Sequence, residues 1–207
     1  MTRTLPADEA ATIDAAVDAL ERGELIAIPT ETVYGLAVLP TDAGIDLLVS
    51  AKQRSQEKGI QLLIDSLDQV RALVEVTEAA ARLANALWPG GLTIVLRRRA
   101  GANLPQALGG GRPTLGLRLP DHQVPRALAR RLGPIAASSA NLSGEPDATT
   151  ARRVEASLGG ALAVIIDDGA VRGGTPSTVV DCSDETRPPS VLREGAISSE
   201  RIAAALR

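Results

Sequence analysis

The chain has 207 residues, enough for one sizeable core, and 44% of them are apolar although Phe is absent and Trp and Tyr occur once each. Lys and Arg number 22 against 25 Asp and Glu, and the resulting net charge of -3 excludes a surface coated for bulk nucleic-acid binding. One cysteine, Cys182, excludes an intramolecular disulfide, and with one histidine, His122, it also excludes a Cys/His zinc cluster.

A core without Phe must be built from Val, Ile, Leu and Ala, which points to an α/β protein, here read as one domain over residues 1–207. Residues 1–24 are interrupted by Asp and Glu and hold no apolar run of signal-peptide or membrane length, so a soluble, cytoplasmic protein is expected. Ile13, Val17 and Leu20 at helical spacing predict a helix over 8–22 that stops at Gly23. A buried strand over 25–28 ends at Pro29, and after a loop Thr41 or Asp42 caps a short helix reaching Lys52. Residues 60–64 form the next strand, helices follow over 67–74 and 77–87, and Trp88-Pro89-Gly90-Gly91 is a strong stop. Further strands are expected at 92–97, 114–119, 135–138, 163–167, 177–181 and 190–193, with helices at 124–132, 149–158 and 199–206. The glycine-rich residues 101–113 are the expected mobile loop, and no repeat or long linker divides the chain.

Three strings carry candidate chemistry. Thr30-Glu31-Thr32-Val33-Tyr34-Gly35-Leu36 follows a buried strand directly and offers two hydroxyls, a carboxylate and a phenol; it reads either as a ligand loop at a sheet edge or as a plain hairpin. Lys52-Gln53-Arg54-Ser55-Gln56-Glu57-Lys58 places three cations at a helix end, suited either to phosphate oxygens or to the helix dipole. Residues 134–144 run from an apolar strand into Ser138-Ser139-Ala140-Asn141-Leu142-Ser143-Gly144, where small polar groups can bind phosphate or carboxylate or simply close a turn.

Arg118 and Arg193 each end an aliphatic strand, a costly place for a charge unless an ion pair or an anionic ligand meets it. There is no GxxxxGK[ST], GxGxxG, GxSxG or HExxH string. His122 reads as a surface or structural histidine and Cys182 as an incidental small residue.

Taken in order, TETVYGL, KQRxxxKG, WPGGLT, LGLRLPDH, SSANLSG, STVVD and LREGAI closely resemble the YrdC-type threonylcarbamoyl-AMP synthases over about residues 25–197. Each string alone is weak, but seven in order are specific. The resemblance is to the short, single-domain form. It implies one twisted mixed sheet flanked by helices around a wide, positive cavity. It also implies a nucleotidyltransferase reaction: L-threonine, bicarbonate and ATP give threonylcarbamoyl-adenylate and pyrophosphate, feeding threonylcarbamoylation of tRNA adenosine 37. In that chemistry a carbamate oxygen attacks the α-phosphorus, a step served by positioning and charge rather than by a triad.

Carried over string by string, the resemblance implies that Thr32, Arg118, Ala137 and Ser177 hold L-threonine. It assigns Lys52, Arg54, Lys58, Thr114, Ser139, Ser143 and Arg193 to ATP, with Mg²⁺ arriving on the triphosphate and no metal ligand or catalytic side chain assigned. The implied partners are the downstream tRNA-threonylcarbamoyl transfer proteins, with weak RNA binding as a side activity and no membrane. Departures from the family pattern are Ser55 and Gly91, where many relatives have Pro, and Leu63, near which some have a threonine-binding His. Two rival readings are an RNA-binding or ribosome-associated factor of the same fold and a paralogue with another small-molecule substrate.

Overall fold

A computed structural model describes residues 1–53 and 59–207. In chain order the elements are β1 (Arg3–Pro6), α1 (Ala10–Glu21), β2 (Ile26–Ile28), β3 (Gly35–Val38), α2 (Asp42–Ala51), β4 (Gln61–Leu63), β5 (Val74–Glu75), α3 (Glu78–Leu87), β6 (Leu92–Arg98) and β7 (Thr114–Arg118). They continue with α4 (Gln123–Leu132), β8 (Ile135–Ser139), α5 (Ala151–Leu158), β9 (Val164–Asp167), β10 (Thr178–Asp181), β11 (Ser190–Arg193) and α6 (Ser199–Ala205). All the strands join one mixed sheet in the order β1-β9-β2-β3-β8-β4-β7-β6-β10-β11, with β5 added beside β6. The fold is α/β, a sheet flanked by helices, as the aliphatic composition implies.

Helix starts follow local chemistry. The hydroxyls of Thr41, Thr77, Thr150 and Ser198 accept from first-turn amides of α2, α3, α5 and α6, and His122 Nδ1 does the same for α4. Gly23, at φ +75°, ends α1 in a conformation that disfavours other residues.

Strand alternation sorts the core into two layers. Leu62, Leu92, Ile94, Leu96, Leu115, Leu117, Ala136 and Val180 meet Ile45 and Leu48 of α2, Leu83 of α3, Val154 of α5 and Ile202 of α6. On the opposite face, Ile26, Ile28, Ala37, Leu63, Ile135, Ala137, Val164 and Ile166 are covered by Ala16, Val17 and Leu20 of α1 and by Val124 and Leu128 of α4. That second covering ends near β4. Beyond it, toward β7, β6 and β10, the same face carries Gln61, Gly116, Arg118, Thr93, Val95 and Val179, and these line a cavity instead of a helix layer.

At four places the structure differs from the sequence reading or adds to it. Residues 67–74 form a 3-10 turn at Leu67–Val70 followed by β5, because the β-branched Val74 pairs with the end of β6. The TETVYGL string is loop only as far as Tyr34; Gly35 and Leu36 open β3, which pairs with both β2 and β8. β1 was not expected: its four residues show no readable period, and only parallel pairing with β9 makes them a strand. Residues 101–113 hold a 3-10 turn at Gln106–Gly109, bury Leu108 and are tied to Arg98, whose guanidinium donates to the carbonyls of Ala102, Leu104 and Pro105.

Candidate active site

The cavity encloses about 310 Å³, within the range of small-molecule sites. Its walls hold three arginines, Arg112, Arg118 and Arg193, and no carboxylate among the described residues.

Its deepest charge is Arg118, 2% exposed at the end of β7. Nε donates to Gly90 O at 3.2 Å, and Nη2 donates to Glu31 Oε1 and Thr32 Oγ1, both at 2.8 Å. The loop that supplies these acceptors is braced from within. Thr30 Oγ1 donates to Val33 O at 2.6 Å and receives the amides of Thr32 and Val33. Since Thr30 has only that one proton, its 2.9 Å contact with Thr32 Oγ1 is donated by Thr32. The sequence Arg118, Thr32, Thr30, Val33 O is therefore a directed chain. Gly173 N and Gly174 N then clamp the outside of the loop through Glu31 O and Thr32 O at 3.2 and 2.7 Å. Position 173 has to be glycine, because a Cβ would stand 2.9 Å from Glu31 O.

On the other wall, Thr93 Oγ1 lies 2.7 Å from Gln61 Oε1 and 2.8 Å from Ser177 Oγ, while Arg193 Nη2 donates to Ser177 O at 2.7 Å. Arg193 was expected to be embedded; it stands instead on the exposed edge strand β11 and leans over the cavity. Surrounding protein lowers its pKa, Asp147 opposes that and Arg118 adds to it. It remains a cation at neutral pH.

Of the expected site residues, Thr114, Arg118, Ala137, Ser139, Ser177 and Arg193 line this one cavity. Thr32 stands behind Arg118, 2% exposed, with its hydroxyl engaged on both sides. Lys52 differs from expectation: it is 2% exposed, and its ammonium donates to Ser139 O, to Asn141 O at 2.7 Å and to Asn141 Oδ1 at 3.1 Å. That is the placement of an anchor for the loop after β8. Ser143 is exposed and bonds through its amide to Lys52 O, outside the cavity wall. Arg54 and Lys58 lie outside the described residues. Gln61, Thr93 and Arg112 are cavity residues that sequence reading passed over. Alternation within β4 and β6 carried the signal, since each places a polar residue beside apolar neighbours of the opposite face.

Four other residues are structural. Tyr34 is fully buried; its hydroxyl donates to Gly169 O at 2.8 Å and accepts from Asp168 N, and burial pushes its pKa up to about 12. Leu63 lies in the layer under α1 and α4, not in the cavity. His122 caps α4 and reaches Asp168 Oδ2 at 3.0 Å, whereas burial, aided by Asp181, raises the Cys182 thiol to about 12 and keeps it unreactive.

A family model covering Sua5, YciO and YrdC, described as telomere recombination, matches residues 18–195. The chain is 39% identical to the threonylcarbamoyl-AMP synthase of Bacillus subtilis over 90% of its own length, and spans 54% of that protein. With the threonylcarbamoyl-AMP synthase of Vibrio cholerae O395 it shares 37% identity over 87% of its length and 95% of the relative's. Among solved structures, Pyrococcus abyssi Sua5 complexed with L-threonine superposes with a TM-score of 0.90 at 35% identity, over 99% of this chain and 60% of that one.

Proposed function

The chain belongs to the Sua5/YciO/YrdC family, and from that premise we propose that it is an L-threonylcarbamoyladenylate synthase, a nucleotidyltransferase that makes threonylcarbamoyl-AMP and pyrophosphate from L-threonine, bicarbonate and ATP. The observation that carries the reading is the meeting, in one cavity, of two sets of residues. Arg118, Ala137 and Ser177 suit an amino acid, while Thr114, Ser139 and Arg193 suit a nucleotide. Threonine appears with the P. abyssi relative.

The reaction needs little from side chains beyond placement and charge. Arg118 meets the amino-acid carboxylate, and Arg193, with Arg112 as a second cation at the rim, offsets phosphate charge. Among the described residues no cluster of three His, Cys, Asp or Glu could hold a metal ion. In this reading Mg²⁺ arrives as the ion of the ATP complex, held by phosphate oxygens and water.

The adenylate feeds tRNA-threonylcarbamoyl transfer proteins in this reading, and a cytoplasmic setting accords with the free thiol of Cys182. No described helix is long and apolar enough to cross a membrane. The test is incubation with ATP, Mg²⁺, bicarbonate and threonine, serine or glycine. Threonine-dependent release of pyrophosphate together with the adenylate is expected, and its absence overturns the proposal.

A further inference from the structure

The cavity floor holds a hydrogen-bonded row whose direction is fixed by its ends. Arg193 can only donate, and Gln61 Oε1 can only accept. Thr93 spends its single hydroxyl proton on Gln61 Oε1 at 2.7 Å, so the 2.8 Å contact between Thr93 and Ser177 is donated by Ser177. Arg193 Nη2 closes the row with 2.7 Å to Ser177 O and 3.5 Å to Ser177 Oγ. Both hydroxyl protons are consumed inside the row. What it still offers a ligand is the Gln61 amide: Nε2 carries two N–H donors that meet no acceptor among the described residues, on a residue that lines the cavity.

The fold makes room for this reach. Gln61 on β4 and Thr93 on β6 are separated by β7, and the β7 residue opposite Gln61 is Gly116. A Cβ there would stand 3.3 Å from Thr93 Cγ2 and 3.8 Å from Gln61 Cα, so glycine keeps the passage between Gln61 and Thr93 open where a methyl would press on Thr93. Gln61 is also opposite Ala137 on its other side, and Arg118 is the same-face neighbour two residues beyond Gly116. It thus stands among Arg118, Ala137 and Ser177.

Resting on the function proposed above, we infer that Gln61 is a specificity-determining residue of the amino-acid pocket, its Nε2 donating to the threonine carboxylate that Arg118 also holds. A carboxylate has lone pairs enough for both, and Arg118 Nη1 donates no hydrogen bond to the described residues. A neutral amide beside the cation adds direction without a second charge. Discrimination follows because a bound ligand covers these donors, and donors covered without an acceptor are costly, which penalises ligands lacking that oxygen.

The experiment uses full-length Gln61→Glu and Gln61→Leu. The first keeps an oxygen for the Thr93 hydroxyl but presents a negative acceptor to the ligand; the second removes both functions. Pyrophosphate release is measured with threonine and with ATP varied in turn, alongside competition by L-valine, which has the carboxylate and lacks the hydroxyl. The KM for threonine should rise at least about tenfold in Gln61→Glu and less in Gln61→Leu. The KM for ATP and the melting temperature should hold, and valine competition should weaken by the same factor as threonine binding. An unchanged KM for threonine in both variants overturns the inference and leaves the synthase reading standing. An equal rise in the KM for ATP overturns it in favour of a nucleotide contact, and weakened threonine with unaffected valine overturns it in favour of the hydroxyl. A wild-type protein that releases no pyrophosphate overturns the inference together with the reading beneath it.

Discussion

Glu31 and Arg118 form an ion pair of 2.8 Å in which the guanidinium is 2% exposed and the carboxylate side chain 20%. Among the described residues Glu31 Oε2 is buried without a hydrogen-bond partner, so this carboxylate meets Arg118 through one oxygen. Truncating Glu31→Ala leaves a buried cation without its counter-charge, which costs about 3 kcal/mol at the partly open end of the range for such pairs. A urea titration should show that loss, with a rise in the KM for threonine larger than that for ATP. An unchanged midpoint would remove the pair from the account of how Arg118 is held.

Arg118→Ala should abolish threonine-dependent pyrophosphate release. It also strands Glu31 and removes the donor of the chain through Thr32 to Thr30, so a stability loss of roughly 2–4 kcal/mol accompanies it. Activity is therefore best measured well below the variant's own melting temperature, and retained turnover there refutes the role given to Arg118.

Lys52→Met keeps the aliphatic stem and deletes the donors to Ser139 O, Asn141 O and Asn141 Oδ1. Buried acceptors left unmet predict a loss of roughly 2–4 kcal/mol in chemical denaturation. A merely surface-bound lysine would shift it by well under about 1 kcal/mol.

Gly116→Ala inserts a methyl into the passage between Gln61 and Thr93. The KM for threonine should increase several-fold while the core layer of Leu115 and Leu117 on the opposite face keeps the melting temperature close to that of the wild type. A fall in stability with an unaltered KM would make this glycine a packing requirement only.

Alkaline pH should destabilise the fold in a specific window. Burial raises both Tyr34 and Cys182 to about 12, so the folded chain keeps protons that the unfolded chain releases. The unfolding free energy is unaffected by them below the ordinary thiol range near about pH 8.5 and falls as pH climbs from there to about 12. Urea midpoints at about pH 8 and about pH 11 should differ, and the double variant Tyr34→Phe with Cys182→Ala should flatten that difference.

Most helices and core strands were legible in the chain because their signals are local: Thr41, Thr77 and Gly23 mark ends, and Leu115, Gly116, Leu117 and Arg118 alternate openly. β1 and β5 were not, because each exists only through pairing, β1 with a strand distant in sequence and β5 with the far end of a long strand. The same limit applied to the site. Arg118 announced itself as a charge in an apolar strand, whereas Gln61 looked ordinary until β7 brought Gly116 between it and Thr93. The contacts of Lys52 with the carbonyls of the loop after β8 were not legible, because a cation at a helix end looks alike whether it faces a phosphate or a loop.

The apolar layer under α1 and α4 stops part-way across the sheet, and this separates two kinds of selection on one surface. Mutations under the helices are screened by folding, while those at Val95 and Val179, on the uncovered tract, are screened by what the cavity admits. Substrate choice in this protein can therefore drift, or be redesigned, through strand residues whose exchange leaves both apolar layers intact.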